Sequence, residues 1–352
     1  MKGFGVITKG QVGWFEKPDY VCGELDAIVK PLAISPCSSD VHSAYEVDSP
    51  FLKDMILGHE SCGVIIEVGK KVKDFKPGDE VVIPCTTPTF WHPDLQDTPH
   101  QHAGGMLSGI NFSNTTDGTF ADQILVRSAD MNLAIKPKEL SLEQAVMITD
   151  MVTTGFHGSE LAEVKFGDTV VVFGIGPVGL MAVAGAKLSG AGELIGVGTR
   201  PNCVALAKEY GATKVISYKD GDLQQQIMEI TNGRGVDAAI IAGGDNATFN
   251  TALAVTRAGG HVANLNVFTE LPKFEFGYLE TGAGFMAHKT IRGGLCPGGR
   301  RRAERLISMV TASRFDPGRM ITHRYTGFDR IEDAFMRMVN KTPDLIKPIV
   351  IM

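Results

Sequence analysis

Short apolar runs bounded by Gly, Pro and Asp mark the first third of the chain. DAIVKPLAISP (26–36), SCGVIIEVG (61–69) and DEVVIP (79–84) are rich in β-branched residues, and each predicts a strand. Between residues 84 and 122 the periodicity fades into a stretch rich in Thr, Pro, His, Gly and Asn. A loop of that length inside a compact domain is usually functional or forms a lobe of its own. From Thr169 the pattern alternates. The runs TVVVF (169–173), LIGVG (194–198), KVIS (214–217), DAAII (237–241) and HVANL (261–265) separate helical segments near 178–189, 201–210, 222–231 and 246–257. Strands and helices at this spacing imply a parallel sheet with right-handed crossovers. Past Gly298, the helical segments RRAERLISMV and IEDAFMRMV and a last run IKPIVIM return to the style of the first part. The pattern predicts an α/β protein in which a doubly wound domain (154–295) is inserted between two segments (1–153 and 296–352) of another.

Composition agrees with two soluble domains. The chain has 352 residues, 43% hydrophobic and 21% charged, too many for one ordinary core. Its net charge of −6 and the lack of a long basic block argue against nucleic acid as a partner. Six cysteines (22, 37, 62, 85, 203 and 296) lie far apart, which points to reduced thiols and a cytoplasmic location. The N-terminus has no apolar core of a signal peptide. Thr169 to Ala186 is nearly uncharged and nearly long enough to span a bilayer, but Gly174, Gly176, Pro177 and Gly179 interrupt it. A buried strand and helix explain it better, so no membrane is expected.

That same segment carries Gly174-Ile175-Gly176-Pro177-Val178-Gly179, a G-x-G-x-x-G pattern. The pattern alone is weak; between a strand and an apolar helix it reads as a dinucleotide site. Gly174 permits the tight turn, Gly176 lets the backbone approach a pyrophosphate, and Gly179 lets helix and strand pack closely. The helix N-terminus offers free N–H groups to the phosphates. About 20 residues on, an NAD site shows an Asp or Glu for the ribose. Gly198-Thr199-Arg200 stands there instead, with Tyr218 after the next strand. A hydroxyl and a guanidinium suit a 2′-phosphate, so the expected cofactor is NADP.

The richest chemistry lies in Gly58-His59-Glu60-Ser61-Cys62-Gly63, continued as VIIEVGKKV. An imidazole and a carboxylate stand side by side ahead of an apolar strand that glycines punctuate. This pattern resembles the signature of zinc-dependent medium-chain alcohol dehydrogenases. Similarity to their NADP-dependent secondary alcohol dehydrogenase subgroup runs almost the whole length, from MKGF at the start to GGLCPGGRRRAERL at 293–306. The resemblance implies a GroES-like, mostly β catalytic domain and a Rossmann cofactor domain. It implies Cys37, His59 and Asp150 as ligands of one catalytic zinc, with Glu60 as a loose fourth. Such a donor set is ordinary for zinc and leaves a position open. Related enzymes often hold a structural zinc with four close cysteines; residues 85–120 have only Cys85, with His92, His100 and His102, so none is expected.

In that family the metal acts as a Lewis acid on the substrate oxygen, and hydride passes to the nicotinamide. By resemblance, Ser39 and His42 relay the proton, Thr154 faces the site, and Cys85, Thr86 and Ile110 line the substrate pocket. Ile110 departs from the tryptophan frequent in the subgroup. The implied activity is reversible oxidation of secondary alcohols to ketones by a homotetramer. The alternatives are a polyol dehydrogenase and a zinc-free enone or quinone reductase of the same superfamily; polyol enzymes mostly use NAD, against which Arg200 speaks.

Overall fold

A computed structural model of the chain describes residues 1–88, 111–268 and 288–352. It divides into two compact units, Met1–Thr153 with Pro297–Met352, and Thr154–Cys296. The first unit opens with a hairpin, β1 (Lys2–Thr8) and β2 (Gln11–Glu16). The apolar pattern did not predict it, because glycines take the places of core side chains. Gly5 shows why they are there: a Cβ on it would fall 2.0 Å from the Met55 carbonyl oxygen of β4 (Met55–Ile56), which pairs with β1.

The strands β3 (Ala27–Ile34) and β5 (Ser61–Val68) form the antiparallel centre of a larger sheet. β6 (Glu80–Ile83) pairs with β5, β7 (Ile124–Val126) with β3, and β8 (Ala134–Ile135) with β6. Val29, Ile65, Val81, Ile83 and Ile124 are fully or almost fully buried and pack on one face of it. In the register, Ile34 faces Ser61, so the residues after β3 meet those before β5. That pairing sets the place of the metal-capable side chains.

The second unit holds β9 (Thr169–Phe173), β10 (Glu193–Val197), β11 (Lys214–Ile216), β12 (Val236–Ile241), β13 (Thr256–Asn264) and β14 (Thr290–Gly293). They form a parallel sheet in the order β11-β10-β9-β12-β13-β14. Helices Pro177–Leu188, Pro201–Glu209, Leu223–Ile230 and Asn246–Val255 make the crossovers. Every residue of β12 is buried, which is why this strand reads as a near-continuous apolar run. The strand order reverses beside β9, the topological switch point where open sheets of this kind bind ligands. One expectation shifts: β13 starts at Thr256, ahead of the HVANL run. Its first residues pass through Gly259 at φ +70° and a break in register opposite β12.

After Cys296 the chain rejoins the first unit. Helices Arg300–Thr311 and Ile331–Val339 lead to β15 (Ile321–Thr326) and β16 (Lys347–Ile351). The last strand pairs with β3, Val350 against Ile34 and Ile351 against Ala33. The C-terminal strand therefore runs beside the segment that leads to Cys37.

Candidate functional site: a four-donor metal cluster and a dinucleotide cleft

Each donor of the cluster is held by its own local device. Cys37 is the N-cap of helix Ser38–Tyr45, three residues past β3. His59 and Glu60 enter β5 behind Gly58, whose φ is +96° and whose Cβ would strike the Phe120 ring at 2.2 Å. Only glycine meets both demands at that position. Asp150 lies in a π turn, Ile148–Val152, that interrupts the helical run after Leu142–Met147. Such turns widen the backbone locally and recur at functional sites.

The register of β3 and β5 brings Cys37 to His59 and Glu60, and Asp150 joins them from the π turn. One donor atom each from Cys37, His59, Glu60 and Asp150 lies within 4.8 Å of all the others. His59 Nε2 is 3.4 Å from Asp150 Oδ2, Cys37 Sγ is 3.9 Å from the same oxygen, and Glu60 Oε1 is 3.9 Å from His59 Nε2. Tetrahedral zinc with bonds of about 2.0–2.3 Å separates its ligand atoms by roughly 3.3–3.8 Å. The donor spacing and the S/N/O chemistry both fit that ion.

Asp40 orients the histidine. Its carboxylate is 2% exposed and accepts from the Cys37 amide (2.7 Å), the Gly58 amide (3.1 Å) and His59 Nδ1 (3.2 Å). With Nδ1 donating to Asp40, the Nε2 lone pair is left for a metal, the usual arrangement of a metal-binding histidine. Burial pulls the His59 pKa down, but the carboxylates of Asp40 and Asp150 outweigh it and hold the metal-free imidazole well above its ordinary value. Binding a cation at Nε2 must then displace a proton.

Glu60 is completely buried, so it is no surface charge. Lys347 of β16, itself 1% exposed, donates to Glu60 Oε1 at 2.7 Å and to the Pro36 carbonyl at 2.9 Å. Burial works against the charged lysine, but Glu60 and then Cys37 outweigh it and raise its pKa. Glu60 Oε2 is buried with no hydrogen-bond partner among the described residues. Sequence reasoning missed both Asp40 and Lys347. The signals were an acidic residue three positions after a helix cap and a lysine inside an otherwise apolar terminal strand.

The other sequence candidates fall in several places. The Ser39 hydroxyl is 3.3 Å from His59 Nε2. His42, one turn further along the helix, is exposed and bonds Glu46 at 2.7 Å through Nδ1. Cys85 is buried, with Sγ within 4.8 Å of an Asp150 carboxylate oxygen. Its neighbour Thr86 is buried too, and its carbonyl accepts from the Gly299 amide. Thr154 is the first residue of the second unit. Ile110, with His92, His100 and His102, lies outside the described residues.

The dinucleotide candidate is complete within the second unit. Gly174 has φ +83° and abuts the Gly243 backbone, where a Cβ would sit at 2.9 Å. A Cβ on Gly179 would fall 1.7 Å from the Gly174 carbonyl oxygen. At Gly176, by contrast, a Cβ would find only Arg200 Nη2 among the described residues, at 3.7 Å. Its bare surface is therefore left open toward the cleft and not filled by packing. Pro177 starts the helix that Gly176 caps, and Val178 follows in its first turn.

The cleft measures about 640 Å³ and is lined by Gly174, Ile175 and Gly176, and by Gly198, Thr199, Arg200 and Tyr218. Thr199 Oγ1 donates to the Tyr218 hydroxyl at 3.2 Å. Two carboxylates also line it, but Asp222 accepts from the Gln225 amide and Asp245 from the Thr248 amide. Both serve as helix caps, and the end of β10 carries no acid. The residues present fit an NADP adenosine half: open glycine for the pyrophosphate, hydroxyls and a guanidinium for the 2′-phosphate.

Comparison with known proteins gives a consistent picture. A zinc-binding dehydrogenase family model matches residues 177–312, and an alcohol dehydrogenase GroES-like domain model matches residues 23–137. The chain is 56% identical, over all of both chains, to an NADP-dependent isopropanol dehydrogenase of Thermoanaerobacter brockii. It is 53% identical, again over all of both, to one of Clostridium beijerinckii. Among solved structures it is similar to the alcohol dehydrogenase TADH from Thermus sp. ATN1, with TM-score 0.86, 27% identity and full coverage of both chains.

Proposed function

The chain belongs to the zinc-dependent medium-chain alcohol dehydrogenases, in their isopropanol dehydrogenase-like subgroup, and on that basis we propose that it interconverts small secondary alcohols and ketones with NADP(H) at one catalytic zinc. The observation that carries this reading is the convergence of Cys37, His59, Glu60 and Asp150 on one point. A zinc-free enone or quinone reductase would have no use for it. Bound there, zinc supplies Lewis acidity toward a hydroxyl or carbonyl oxygen, and the nicotinamide exchanges the hydride.

The protein's own residues do the rest. Asp40 fixes the His59 ring, and in this reading Ser39 takes the proton of a substrate hydroxyl, a role that its 3.3 Å distance from His59 Nε2 supports. In this reading His42 passes that proton to solvent, and its exposure beside Glu46 supports the role. Cys85 and Thr86 bound the substrate side of the cluster. Arg200, Thr199 and Tyr218 select the 2′-phosphate, with no carboxylate to repel it. The six free cysteines support the reducing cytoplasm as compartment. Assembly as a homotetramer rests on the subgroup resemblance alone.

Elemental analysis of purified protein, paired with kcat/KM for 2-butanol using NADP and NAD, tests this reading. The expected result is one zinc per chain and a preference for NADP of about 100-fold or more, the worth of two charge-assisted hydrogen bonds. Equal efficiency with both cofactors, or a second zinc per chain, would overturn the corresponding part.

A further inference from the structure

Three arginines follow one another at the start of helix Arg300–Thr311. Arg300 and Arg301 both bond Glu304, at 2.7 and 2.9 Å. Arg302 reaches Thr153: its Nε donates to Oγ1 at 3.1 Å and its Nη2 to the carbonyl oxygen at 3.3 Å. Thr153 is buried, and its hydroxyl donates in turn to the Pro297 carbonyl at 2.6 Å. This threonine closes the π turn Ile148–Val152, and its amide donates to the carbonyl of Asp150. We propose that Arg302 is a positioning residue that keeps the π turn from relaxing and so aims the Asp150 carboxylate at the metal. The inference rests on the zinc reading above.

A π turn is rare beside regular α-helix. Backbone groups that leave the helical ladder must find partners elsewhere. Here such fastenings lie on both sides of Asp150. Ahead of it, the Thr149 carbonyl accepts from the Cys85 amide at 3.0 Å. Behind it, two oxygens of Thr153 are gripped by a planar and permanently charged group. Charge-assisted bonds of this kind are about twice as strong as neutral ones. Relaxation to a regular α-helix would shift the register by one residue and swing Asp150 by roughly 100°, the angle per residue. Its carboxylate would then leave the place where Oδ2 lies 3.4 Å from His59 Nε2 and 3.9 Å from Cys37 Sγ.

A merely structural arginine would act otherwise. If Arg302 only tied its helix to the rest of the first unit, its loss would lower Tm and leave the surroundings of the metal alone. The test uses the holoenzyme at a temperature well below Tm and reads two quantities. One is the rate at which excess chelator takes the zinc. The other is the visible spectrum of the cobalt(II)-substituted enzyme, whose bands report ligand geometry. Arg302→Met, neutral and of similar length, should release zinc about tenfold faster, near the lower end of outer-shell effects on metal affinity. Its cobalt bands should shift as Asp150 leaves its place. Thr153→Val keeps the arginine and its bond to the carbonyl. It should speed release by about threefold, at the low end of a single hydrogen bond's worth, and shift the bands less. The exposed neighbour supplies the control, and Arg301→Met should change neither quantity.

An unchanged release rate or an unchanged cobalt spectrum in Arg302→Met overturns the proposal, whatever happens to Tm. So does an equal response from Arg301→Met, which would assign the effect to the charge of the helix. Should Arg302→Met fail to fold, Thr153→Val decides alone, and zinc release at the parent rate refutes the role. A parent enzyme with no bound zinc would instead defeat the metal reading. Elemental analysis before any variant is made tells that failure from this one.

Discussion

Asp40→Asn separates a helix cap from a metal-orienting residue. Asp40 Oδ1 accepts from both Gly58 and His59, and Oδ2 accepts from the Cys37 amide at 2.7 Å. An asparagine can keep its oxygen at the Oδ1 position, but its NH2 group then faces the Cys37 N–H, donor against donor. Flipped, it loses two acceptors in place of one. The lesser loss is one charge-assisted bond of about 1.5–3 kcal/mol, and the two retained bonds weaken as their acceptor becomes neutral. A total near 3 kcal/mol corresponds to a fall in Tm of roughly 6–12 °C for domains of this size. The imidazole also loses the anion that fixes its Nδ1 proton and enriches Nε2, which should lower zinc affinity by about 10–100-fold. Thermal melts of metal-free protein and zinc competition against a chelator read the two effects separately. If Tm falls while zinc affinity stays within about threefold, Asp40 is a cap and the argument for its hold on His59 fails.

Cofactor choice is tested by Arg200→Gln, which should raise KM for NADP by roughly 10–100-fold and leave KM for NAD nearly unchanged. Gly198→Asp should erase the NADP preference, but a Cβ there meets Ile175 Cγ1 at 2.3 Å, so only its difference from Gly198→Ala reports charge repulsion. Equal losses in both variants would show that bulk is responsible. Gly179→Ala should destabilise the second unit by about 3 kcal/mol or more, since its Cβ would overlap the Gly174 carbonyl. Gly176→Ala should fold normally and bind NADP poorly; calorimetry and cofactor titration distinguish them. Asp237 is pushed up by burial, yet Arg257, the Thr169 amide and Arg234 outweigh this and leave its pKa below the ordinary value. Its stabilisation is therefore present above an unfolded-state pKa of about 4 and is lost as pH falls through the lower folded value. Asp237→Asn should lower Tm at neutral pH and flatten the decline on the acid side; an unchanged acid slope would remove Asp237 from the account.

The local devices of this protein were legible in its sequence because each is a matter of spacing over a few residues. Strand, three spaced glycines and apolar helix at 169–186 foretell the tight turn that the structure has at Gly174 and the close helix–strand packing at Gly179, and Gly198-Thr199-Arg200 shows by itself that no acid follows β10. The run after His59 and Glu60 likewise announces a strand, whereas the left-handed backbone of Gly58 came from the structure. What joins these pieces was decided only in three dimensions. Nothing in the run from Thr149 to Thr153 tells of the π turn that carries Asp150. The hairpin of β1 and β2 hid behind glycines whose purpose is a neighbouring backbone. Lys347 meets Glu60 across 287 residues, through the register of β16 on β3 and of β3 on β5. Spacing along a strand dictates which face a side chain takes, but the partner on that face depends on how distant strands align. That alignment follows from the burial of whole sheets, which no single segment encodes.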